Sequence, residues 1–367
     1  MSKHFGGRLS RAADETARAG LAGLVVTPSA DLVYLAGYDP PPLYRLTALL
    51  IRPGHDPLLV VPELEQPRAL ASPAAKLVEV TSWRDGDDPY ELVRTVLSSS
   101  GSGMFGVTDR MLAVHLLGFQ GVLPGAKFIA ASPLLATLRA RKDPSEIHLL
   151  GRAARGADEA FRRMVREGLE GRTEQDVARS IGTHLVDAGH ESVAFTIVGS
   201  GPNGASPHHD PTTREVRMGD PVVLDYGGRV GGYCSDITRT VSVGEPSEEF
   251  REVYEIVREA QEAAFRAVAP GVPAQEIDRS ARRIIEDAGY GDLFIHRTGH
   301  GIGLEEHEPP YMVEGNAEPL EVGMTFSIEP GIYLDGRFGV RIEDIVTVTA
   351  DGGQRLNNAP RELTVVG

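Results

Sequence analysis

The chain has 367 residues, 41% apolar and 24% charged, which is typical of a globular protein with a buried core and excludes a disordered or fibrous chain. Its 37 basic and 52 acidic residues give a net charge of −15, which argues against nucleic acid and anionic membrane surfaces as partners. The single cysteine, Cys234, excludes an intrachain disulfide and Cys-rich zinc sites. Because no signal-peptide core or membrane-length apolar run is present, we expect a cytoplasmic protein.

Residues 1–141 are predicted to form a small α/β domain. Residues 21–28 have a strand pattern, 47–62 indicate two strands around a Pro-Gly turn, and 88–101 indicate a helix. Between these elements, the segment GYDPPPLYR (37–45) contains three consecutive prolines, which favour an extended loop. No catalytic motif is recognisable in this domain.

A second domain is predicted over 142–367. Asp143 suits the N-cap of its first helix, Pro144 suits the first helical position, and Glu146 completes a capping box. Apolar residues then recur at helical spacing towards Gly168.

The second domain contains an internal repeat at an offset of 100 residues. EGRTEQDVARSIGTHLVDAGH (170–190) and PGVPAQEIDRSARRIIEDAGY (270–290) have identical residues at seven aligned positions. Such a long period, present twice, indicates two similar α/β halves related by pseudo-twofold symmetry. A site shared by the halves would lie where their strands meet.

Each half also contains a predicted hairpin that carries two acids among apolar residues. In the first hairpin, Asp225 and Asp236 lie almost symmetrically about its middle. In the second, Glu329 and Glu343 are symmetric about Gly336. Carboxylates on an apolar face are unfavourable unless they are paired or bind a cation. One such pair is typical of a solvated face or a salt bridge, but two pairs on related hairpins favour a cation site.

Histidines accompany the acids in glycine-rich segments. HRTGHGIGLEEHEPP contains His296, His300 and His307, and matches neither GxGxxG nor HExxH spacing. A surface cluster is the alternative interpretation. Upstream, GSGPNGASPHHD carries His208 and His209. Carboxylates alone suit Mn²⁺, Mg²⁺ or Ca²⁺, and an added imidazole favours Mn²⁺, Co²⁺, Fe²⁺ or Zn²⁺.

Together these blocks resemble the pita-bread metallopeptidases, specifically the Xaa-Pro branch that comprises prolidases and aminopeptidases P. The resemblance covers 142–367, and the first domain is more weakly similar to the creatinase-type N-terminal module of that branch. It implies an α/β (α+β) fold, in which a creatinase-like N-terminal α/β domain precedes a pseudo-twofold pita-bread catalytic domain. It also implies a homodimer formed through the N-terminal domain.

The resemblance implies two divalent metal ions per chain. Asp225 would bind the first ion, and Asp236 and Glu343 would bridge both. His300 and Glu329 would bind the second. Manganese is the first expectation, with cobalt and zinc as alternatives.

The implied nucleophile is a metal-bridging hydroxide, for which Glu329 would be the proton acceptor. His208, preferred to His209 because it follows Pro207 in a PH motif, would reach the scissile region. His307 would stabilise the carbonyl oxygen as it becomes an oxyanion.

Further residues are expected around the substrate. His296 would belong to the substrate pocket, and Arg341, on the same strand face as Glu343, would hold carboxylates in place. Tyr333 and Tyr226 would supply apolar walls for a proline ring, with ordinary core aromatics as the alternative.

The resemblance therefore implies hydrolysis of the Xaa-Pro bond of dipeptides, with a peptide that has proline at its second position as the partner. The alternatives are an aminopeptidase P acting on longer peptides and a catalytically silent peptide-binding module. Arg45, after the proline-rich loop, is predicted to bind the free carboxylate of a dipeptide, unless it is an ordinary solvated arginine. Cys234 is expected to be a small buried residue.

Overall fold

The computed structural model describes residues 2–73, 75–97 and 102–367, and the chain divides into two units, Met1–Arg139 and Ala140–Gly367. The division falls within two residues of the boundary that the sequence predicts. Among the described residues, no helix is both long enough and apolar enough to span a bilayer.

The first unit contains six strands and six α-helices within its described residues. The strands are β1 (Gly23–Val26), β2 (Ala48–Ile51), β3 (Leu58–Pro62), β4 (Glu79–Trp83), β5 (Met104–Val107) and β6 (Lys127–Ala130). The helices are α1 (Ser2–Arg18), α2 (Ala30–Ala36), α3 (Gln66–Leu70), α4 (Pro89–Leu97), α5 (Ala113–Val122) and α6 (Ser132–Ala140). The strands form one mixed sheet in the order β4-β3-β2-β1-β5-β6.

The predicted elements of this unit are present, with shorter bounds. The strand predicted over 21–28 is β1, the pair within 47–62 is β2 and β3, and the helix predicted over 88–101 is α4. The predicted end of that helix at Gly101 lies outside the described residues. Residues 37–45 contain no helix or strand, so they are the connection that their prolines predict.

The second unit consists of two halves, each with a helix pair followed by strands. The first half contains α7 (Pro144–Glu167), α8 (Glu174–Asp187), β7 (Ser192–Ser200), β8 (Pro221–Val230), β9 (Tyr233–Cys234) and β10 (Ile237–Val243). The second contains α9 (Glu248–Arg266), α10 (Ala274–Asp287), β11 (Gly299–Gly301), β12 (Glu308–Met312), β13 (Thr325–Ile328), β14 (Gly331–Leu334), β15 (Phe338–Arg341), β16 (Asp344–Thr349), β17 (Gly352–Arg355) and β18 (Thr364–Val366).

These strands form one sheet for each half and a separate ribbon. The first sheet has the order β18-β10-β8-β7, with β9 paired to β8, and the second has the order β12-β11-β13-β16-β17. Strands β14 and β15 form the two-stranded ribbon. The predicted capping box at the start of α7 is present, because Asp143 accepts from the N–H of Glu146 and the Glu146 side chain accepts from the N–H of Asp143.

The repeat is visible in the backbone hydrogen bonds. Gly171 N–H donates to the carbonyl oxygen of Val216 at 2.9 Å, and its counterpart Gly271 donates to that of Leu320 at 2.7 Å. In both halves this bond ties the turn before the second helix to the segment before a central strand. The internal similarity of the sequence therefore corresponds to a repeated backbone arrangement.

Alternation along the central strands separates an apolar face from a polar one. Leu224 and Tyr226 of β8 belong to the hydrophobic cluster of the first half, so Asp225 between them points to the opposite face. Phe326 and Ile328 of β13 likewise belong to the cluster of the second half. The packing of each helix pair against one sheet face thus turns the acids to the other face.

Candidate metal centre and substrate cavity

Asp225 and Asp236 come from a hairpin that closes with two glycines. Gly231 and Gly232 have φ values of 59° and 81°, as a two-residue type I′ turn requires. The resulting register pairs Asp225 with Thr238, so Asp236 is diagonal to Asp225 on the same face. The two aspartates are therefore offset by two residues across the ladder and lie near each other, as the sequence predicts. Because an offset of two residues leaves a side chain on the same face of the sheet, the two carboxylates converge.

Glu329 and Glu343 lie where the ladder of the second hairpin is interrupted. Pairing between β13 and β16 stops next to the two glutamates, and pairing between β14 and β15 resumes with the same symmetry about Gly336. The backbone N–H groups of the two glutamates, which are not paired in the hairpin, form hydrogen bonds with other segments. Glu329 N–H donates to Thr298 O at 2.8 Å, and Glu343 N–H donates to Thr238 O at 3.0 Å. The register is the one that the sequence predicts.

His300, on β11, directs one ring nitrogen at these acids. Its Nε2 is 3.2 Å from Glu329 Oε1 and 3.8 Å from Asp236 Oδ2. Its Nδ1 lies 3.1 Å from Gly301 O, so we assign the ring proton to Nδ1. Ser327 Oγ accepts from His300 N–H and donates to Glu329 Oε1, both at 3.0 Å. These contacts fix the ring with Nε2 free to bind a cation.

The five predicted ligands form one buried cluster. The sets whose ligand atoms all lie within 4.8 Å of one another are Asp225, Asp236 and Glu343; His300, Glu329 and Glu343; and Asp236, His300 and His307. Buried oxygens Asp225 Oδ1, Asp236 Oδ1 and Glu343 Oε1 have no hydrogen-bond partner within the described part of the chain. Unpartnered carboxylate oxygens gathered at one place suit a hard or borderline divalent cation. The residues present therefore fit a metal centre.

Electrostatics support the same interpretation. Burial, followed by the negative charge of neighbouring carboxylates, raises the pKa of Asp236 and Glu343 well above their ordinary values. Burial also raises the pKa of Asp225, although Arg341 opposes it. Glu329 differs, because the contact with His300 and the nearby positive charge of Arg341 outweigh burial and lower its pKa to about 2. Bound cations would favour the ionised form of every carboxylate in this cluster.

Arg341 holds two of the acids. Its Nη2 donates to Asp225 Oδ2 at 2.6 Å, and its Nε donates to Thr238 Oγ1 at 3.2 Å. Thr238 Oγ1 in turn donates to Glu343 Oε2 at 2.8 Å. One guanidinium thus fixes one carboxylate from each half, which is the arrangement expected from its position two residues before Glu343.

Tyr333 links Arg341 to His296. Its hydroxyl accepts from Arg341 Nη1 at 2.7 Å and donates to His296 Nε2 at 2.8 Å, while His296 Nδ1 donates to Arg297 O at 2.7 Å. Burial lowers the pKa of His296 and raises that of Tyr333 to about 12, so both are neutral at pH 7. Tyr333 is buried behind the cavity lining, so its contact with a substrate stays a prediction.

The cluster opens into a cavity of about 490 Å³, a size that suits a small ligand. Its lining is formed by Phe195, Ile197, Pro207, His208, Asp225, Asp236, His296, Arg297, His300, Glu306, His307, Glu329, Arg341 and Glu343. Nine of the twelve residues predicted from the sequence to form the site line it; Arg45, Tyr226 and Tyr333 do not.

The adjacent histidines His208 and His209 have different surroundings. His208 is exposed and lines the cavity. His209 Nε2 instead donates to Glu174 Oε2 at 2.9 Å. The geometry therefore separates the two neighbours in the way that the sequence analysis prefers.

His307 faces the ligand histidine. Its ring centroid is 3.9 Å from that of His300. Burial, together with the proximity of His300, lowers the pKa of His307 to about 4, so it is a neutral hydrogen-bond donor at pH 7. One ring nitrogen of His307 also lies within 4.8 Å of ligand atoms of Asp236 and His300, so His307 is placed to serve as an additional ligand.

Two predicted residues have other partners. Arg45, in the first unit, donates to both oxygens of Asp85 at 2.9 and 2.8 Å, so its role in substrate binding stays a prediction. Tyr226 donates to Ala157 O at 3.2 Å and packs against the helices, so the expectation that it walls the pocket is wrong. The reason is strand alternation, because Tyr226 follows Asp225 and must point the other way. Cys234 is buried as expected, and burial raises its pKa to about 12.

Five lining residues were not predicted from the sequence to be part of the site, and one of them, Pro207, was named only as the neighbour of His208. Phe195 and Ile197 lie on β7, where Ile197 is directly opposite Asp225. Arg297 lies 4.4 Å above the ring of Tyr311, and Glu306 also reaches the cavity. The alternation of β7 could have indicated Phe195 and Ile197, but only if its pairing with β8 had been known.

Comparison with known proteins identifies the family. The Metallopeptidase family M24 profile matches residues 148–350, and the Creatinase/Prolidase N-terminal domain profile matches residues 8–141. The chain belongs to metallopeptidase family M24. It is therefore an enzyme of a metal-dependent family, and the predicted family and α/β fold class are confirmed.

Relatives of known name span nearly the whole chain. "Probable dipeptidase PepE" of Mycobacterium tuberculosis (strain ATCC 25618 / H37Rv) is 49% identical over 364 residues, which cover 98% of this M24 chain and 96% of the relative. "Xaa-Pro dipeptidase" of Lactobacillus helveticus is 40% identical over 340 residues, covering 91% and 92%. The crystal structure of prolidase from Thermococcus sibiricus superposes with a TM-score of 0.92 at 40% identity, covering 98% of each chain.

Proposed function

We propose that this M24 enzyme hydrolyses the Xaa-Pro bond of dipeptides with two divalent metal ions. The observation that carries the proposal is the cluster of five ligands, with three unpartnered buried oxygens, at the base of a cavity that His208, His296 and His307 also line. The names of relatives that are 40% identical support the Xaa-Pro specificity.

The metal ions would be held by the predicted ligands. Asp225 would bind one ion, and His300 and Glu329 would bind the other. Asp236 and Glu343 would bind both ions. When bound, such a pair supplies an acidified water as nucleophile and a Lewis acid for the substrate carbonyl. Manganese is our first choice, with cobalt and zinc as alternatives, because all three accept carboxylate with imidazole.

The protein residues would move and stabilise charge around that chemistry. Glu329 is ionised above a pKa of about 2, so its carboxylate can accept the proton of the attacking water. Neutral His307 can donate to the carbonyl oxygen as negative charge develops. His208, on the exposed side of the cavity, would contact the substrate near the scissile bond.

His296 would meet the substrate by its ring rather than by a ring nitrogen. Both nitrogens are already used, Nε2 by Tyr333 and Nδ1 by Arg297 O. With Phe195 and Ile197 on the lining, the ring would offer apolar surface for a proline, which lacks an N–H to recognise.

A dipeptide presents a free carboxylate, for which two arginines are candidates. Arg45 is the choice from the sequence, but its guanidinium would have to exchange Asp85 for the substrate. Arg297 lines the cavity and stacks on Tyr311, so its guanidinium is the second candidate. An aminopeptidase P acts on longer peptides, so it would need neither arginine to bind a carboxylate after the proline. The homodimer through the first unit remains a prediction.

The test is reconstitution of the chelated protein with Mn²⁺, Co²⁺ or Zn²⁺, followed by kinetics on Xaa-Pro and Xaa-Pro-Yaa peptides. We expect metal-dependent cleavage with the higher kcat/KM on the dipeptide, and little cleavage of the matched Xaa-Ala dipeptide. Preference for Xaa-Pro-Yaa would favour the aminopeptidase P alternative. Absence of Xaa-Pro cleavage with all three metals would overturn the proposal and favour a silent binding module.

A further inference from the structure

Glu174, the first residue of α8, collects hydrogen bonds from both ends of one loop. Its Oε1 accepts from Ser200 N–H (2.8 Å), Ser200 Oγ (2.7 Å) and Asn203 Nδ2 (3.0 Å). Its Oε2 accepts from His209 Nε2 (2.9 Å), Thr212 N–H (3.0 Å) and Thr212 Oγ1 (2.7 Å). The side chain is fully buried. One carboxylate therefore closes the loop between residues 200 and 212.

The loop that Glu174 closes is the one that carries His208. Between its two ends, Pro207 O accepts from Arg341 Nη2 at 3.2 Å, and the same Nη2 donates to Asp225 at 2.6 Å. The loop is thus fixed at its ends to Glu174 and beside His208 to the arginine that holds a predicted metal ligand. This double attachment sets where the His208 side chain enters the cavity.

The repeat isolates Glu174 as a departure from symmetry. Its counterpart at the offset of 100 is Ala274, which begins α10 in the same way. The backbone at the two positions is the same: Glu174 N–H donates to Arg214 O at 3.0 Å, and Ala274 N–H donates to Glu318 O at 2.9 Å. In the second half the helix start and its backbone attachment are formed without an acid, so these two features do not require the Glu174 side chain.

The bonding pattern requires a carboxylate rather than an amide. Each oxygen accepts from a backbone N–H, Oε1 from Ser200 and Oε2 from Thr212. A glutamine has one acceptor oxygen, so its NH₂ group would face one of these buried donors. The hydrogen bonds outweigh burial and lower the pKa of Glu174 to about 2, so the carboxylate is ionised in the working pH range.

We propose that Glu174 is a positioning residue that acts through His208, by holding the 200–212 loop in the geometry in which His208 meets the substrate. This inference rests on the proposed function, since it assigns a task to the loop only if His208 contacts the peptide. It predicts that Glu174 affects turnover without affecting metal binding.

The experiment is a double-mutant cycle with Glu174→Gln and His208→Ala in the metal-loaded enzyme. We expect His208→Ala to lower kcat/KM roughly 10²-fold, as the misplacement of a substrate at its reacting bond does. We expect Glu174→Gln to lower it about 10-fold, and the double variant to be no worse than His208→Ala alone, because a residue that acts through His208 has no effect once that side chain is gone. Metal content should equal that of the wild type in all three.

Asp176→Asn is the matched control, because Asp176 is also an acid in the first turn of α8 but bonds to Thr173 and Arg179 instead of the loop. We expect it to retain activity within about twofold, as for a partly exposed helix-capping contact. Hydrogen exchange of residues 200–212 should rise in Glu174→Gln and not in Asp176→Asn, and this measurement does not depend on activity. Glu174→Asp, whose shorter carboxylate keeps the charge, should partly restore turnover.

The outcomes separate the two proposals. Failure of the wild type to cleave Xaa-Pro peptides, or full activity of His208→Ala, contradicts the proposed function. A large effect of His208→Ala with additive effects in the double variant, metal loss in Glu174→Gln, or unchanged hydrogen exchange of the loop contradicts the inference alone.

Discussion

The two halves of the catalytic unit share a backbone plan but carry different polar side chains. Each half presents two acids on the face turned away from its helices, Asp225 with Asp236 and Glu329 with Glu343. The second half adds the histidine that approaches these acids, whereas the first half adds the long loop between β7 and β8. The repeated backbone therefore accounts for the convergence of the carboxylates, and the differences between halves account for the histidines.

Buried acids on the second helix of each pair show the difference most clearly. In the first half Glu174 holds the loop of His208, and its counterpart is Ala274. In the second half Asp278 accepts from Thr298 N–H at 2.9 Å and Oγ1 at 2.8 Å, two residues after His296. Each half thus anchors its own histidine segment, but from different turns of the helix.

The largest expected effect tests whether the halves contribute equally to the metal centre. Asp236→Ala and Glu343→Ala each remove one of the two acids predicted to bridge the ions. Metal-based stabilisation of charge amounts to several kcal/mol, so each variant should lose roughly 10³-fold or more in kcat. Elemental analysis should show less than the wild-type metal content in both. Wild-type turnover of either variant after chelation and reconstitution would contradict the shared centre.

The next effect separates the histidines of the two halves. His300→Ala should lose metal from the second position, because its Nε2 faces Glu329 and Asp236. His208→Ala should retain metal and lose turnover roughly 10²-fold, because His208 lines the cavity away from the ligand sets. Metal content and kcat measured on the same preparations check both. The opposite pattern would show that the loops have been assigned to the wrong roles.

A smaller effect is expected in the pH dependence of stability, through Glu174. Its pKa of about 2 in the folded chain is below its ordinary value of 4.5, so its ionisation stabilises the fold above pH 4.5, and this contribution is lost as the pH falls through 4.5 towards 2. The difference amounts to about 3 kcal/mol in full, of which about 2 kcal/mol is lost by pH 3.

Denaturant unfolding of the wild type and of Glu174→Gln between pH 6 and pH 3 measures this contribution. The gap between their free energies of unfolding should be constant above pH 5 and should narrow at lower pH. A gap that does not change with pH would mean that the carboxylate charge contributes nothing.

The anchor of the second half should affect substrate binding more than turnover. Asp278 also pairs with Arg282, which donates to the backbone oxygen of His296 at 2.8 Å. Asp278→Asn should lower the free energy of unfolding by about 1–3 kcal/mol, as expected for a buried acceptor that loses charge-assisted bonds. If His296 forms part of the substrate pocket, KM should rise more than kcat falls. If Asp278→Asn lowers kcat by the same factor in a His296→Ala background as in the wild type, the role of Asp278 is purely structural.

Most of the features that the two halves share could be predicted from the sequence, because they depend on regular spacings of residues. The repeat, the acid pairs and the alternation of side chains along the strands depend on spacing alone, and the four acids of the cluster were found in this way. The family resemblance, rather than spacing, singled out His300 among the neighbouring histidines. The register of the first hairpin was not predicted in detail, because it depends on Gly231 and Gly232 both adopting positive φ. The resulting offset of two residues keeps Asp236 on the same face as Asp225.

Contacts between distant segments could not be predicted in the same way. Glu174 contacts residues 26 to 38 positions away, and nothing in its own helix distinguishes it from a solvated acid. Ile197 reaches the cavity only because β7 pairs with β8. Tyr226 is the exception, because alternation beside Asp225 already excluded it from the pocket. The sequence thus contained the evidence against that expectation.

The smallest expected effect tests whether the two halves contain every contact to the substrate. Arg45 lies outside both, and its predicted contact with the dipeptide carboxylate competes with Asp85, which already binds its guanidinium through two hydrogen bonds. A free guanidinium–carboxylate contact would contribute roughly 1.5–3 kcal/mol, but exchange of one carboxylate for another recovers only part of it. Arg45→Ala should therefore raise KM for Xaa-Pro by less than about 10-fold and narrow the gap to Xaa-Pro-Yaa. Asp85→Asn, the matched control, should keep or lower KM, because it removes the competitor and leaves the arginine. If Arg45→Ala changes neither KM nor selectivity while Arg297→Ala changes both, the carboxylate is bound within the catalytic unit, and the two halves alone form the substrate site.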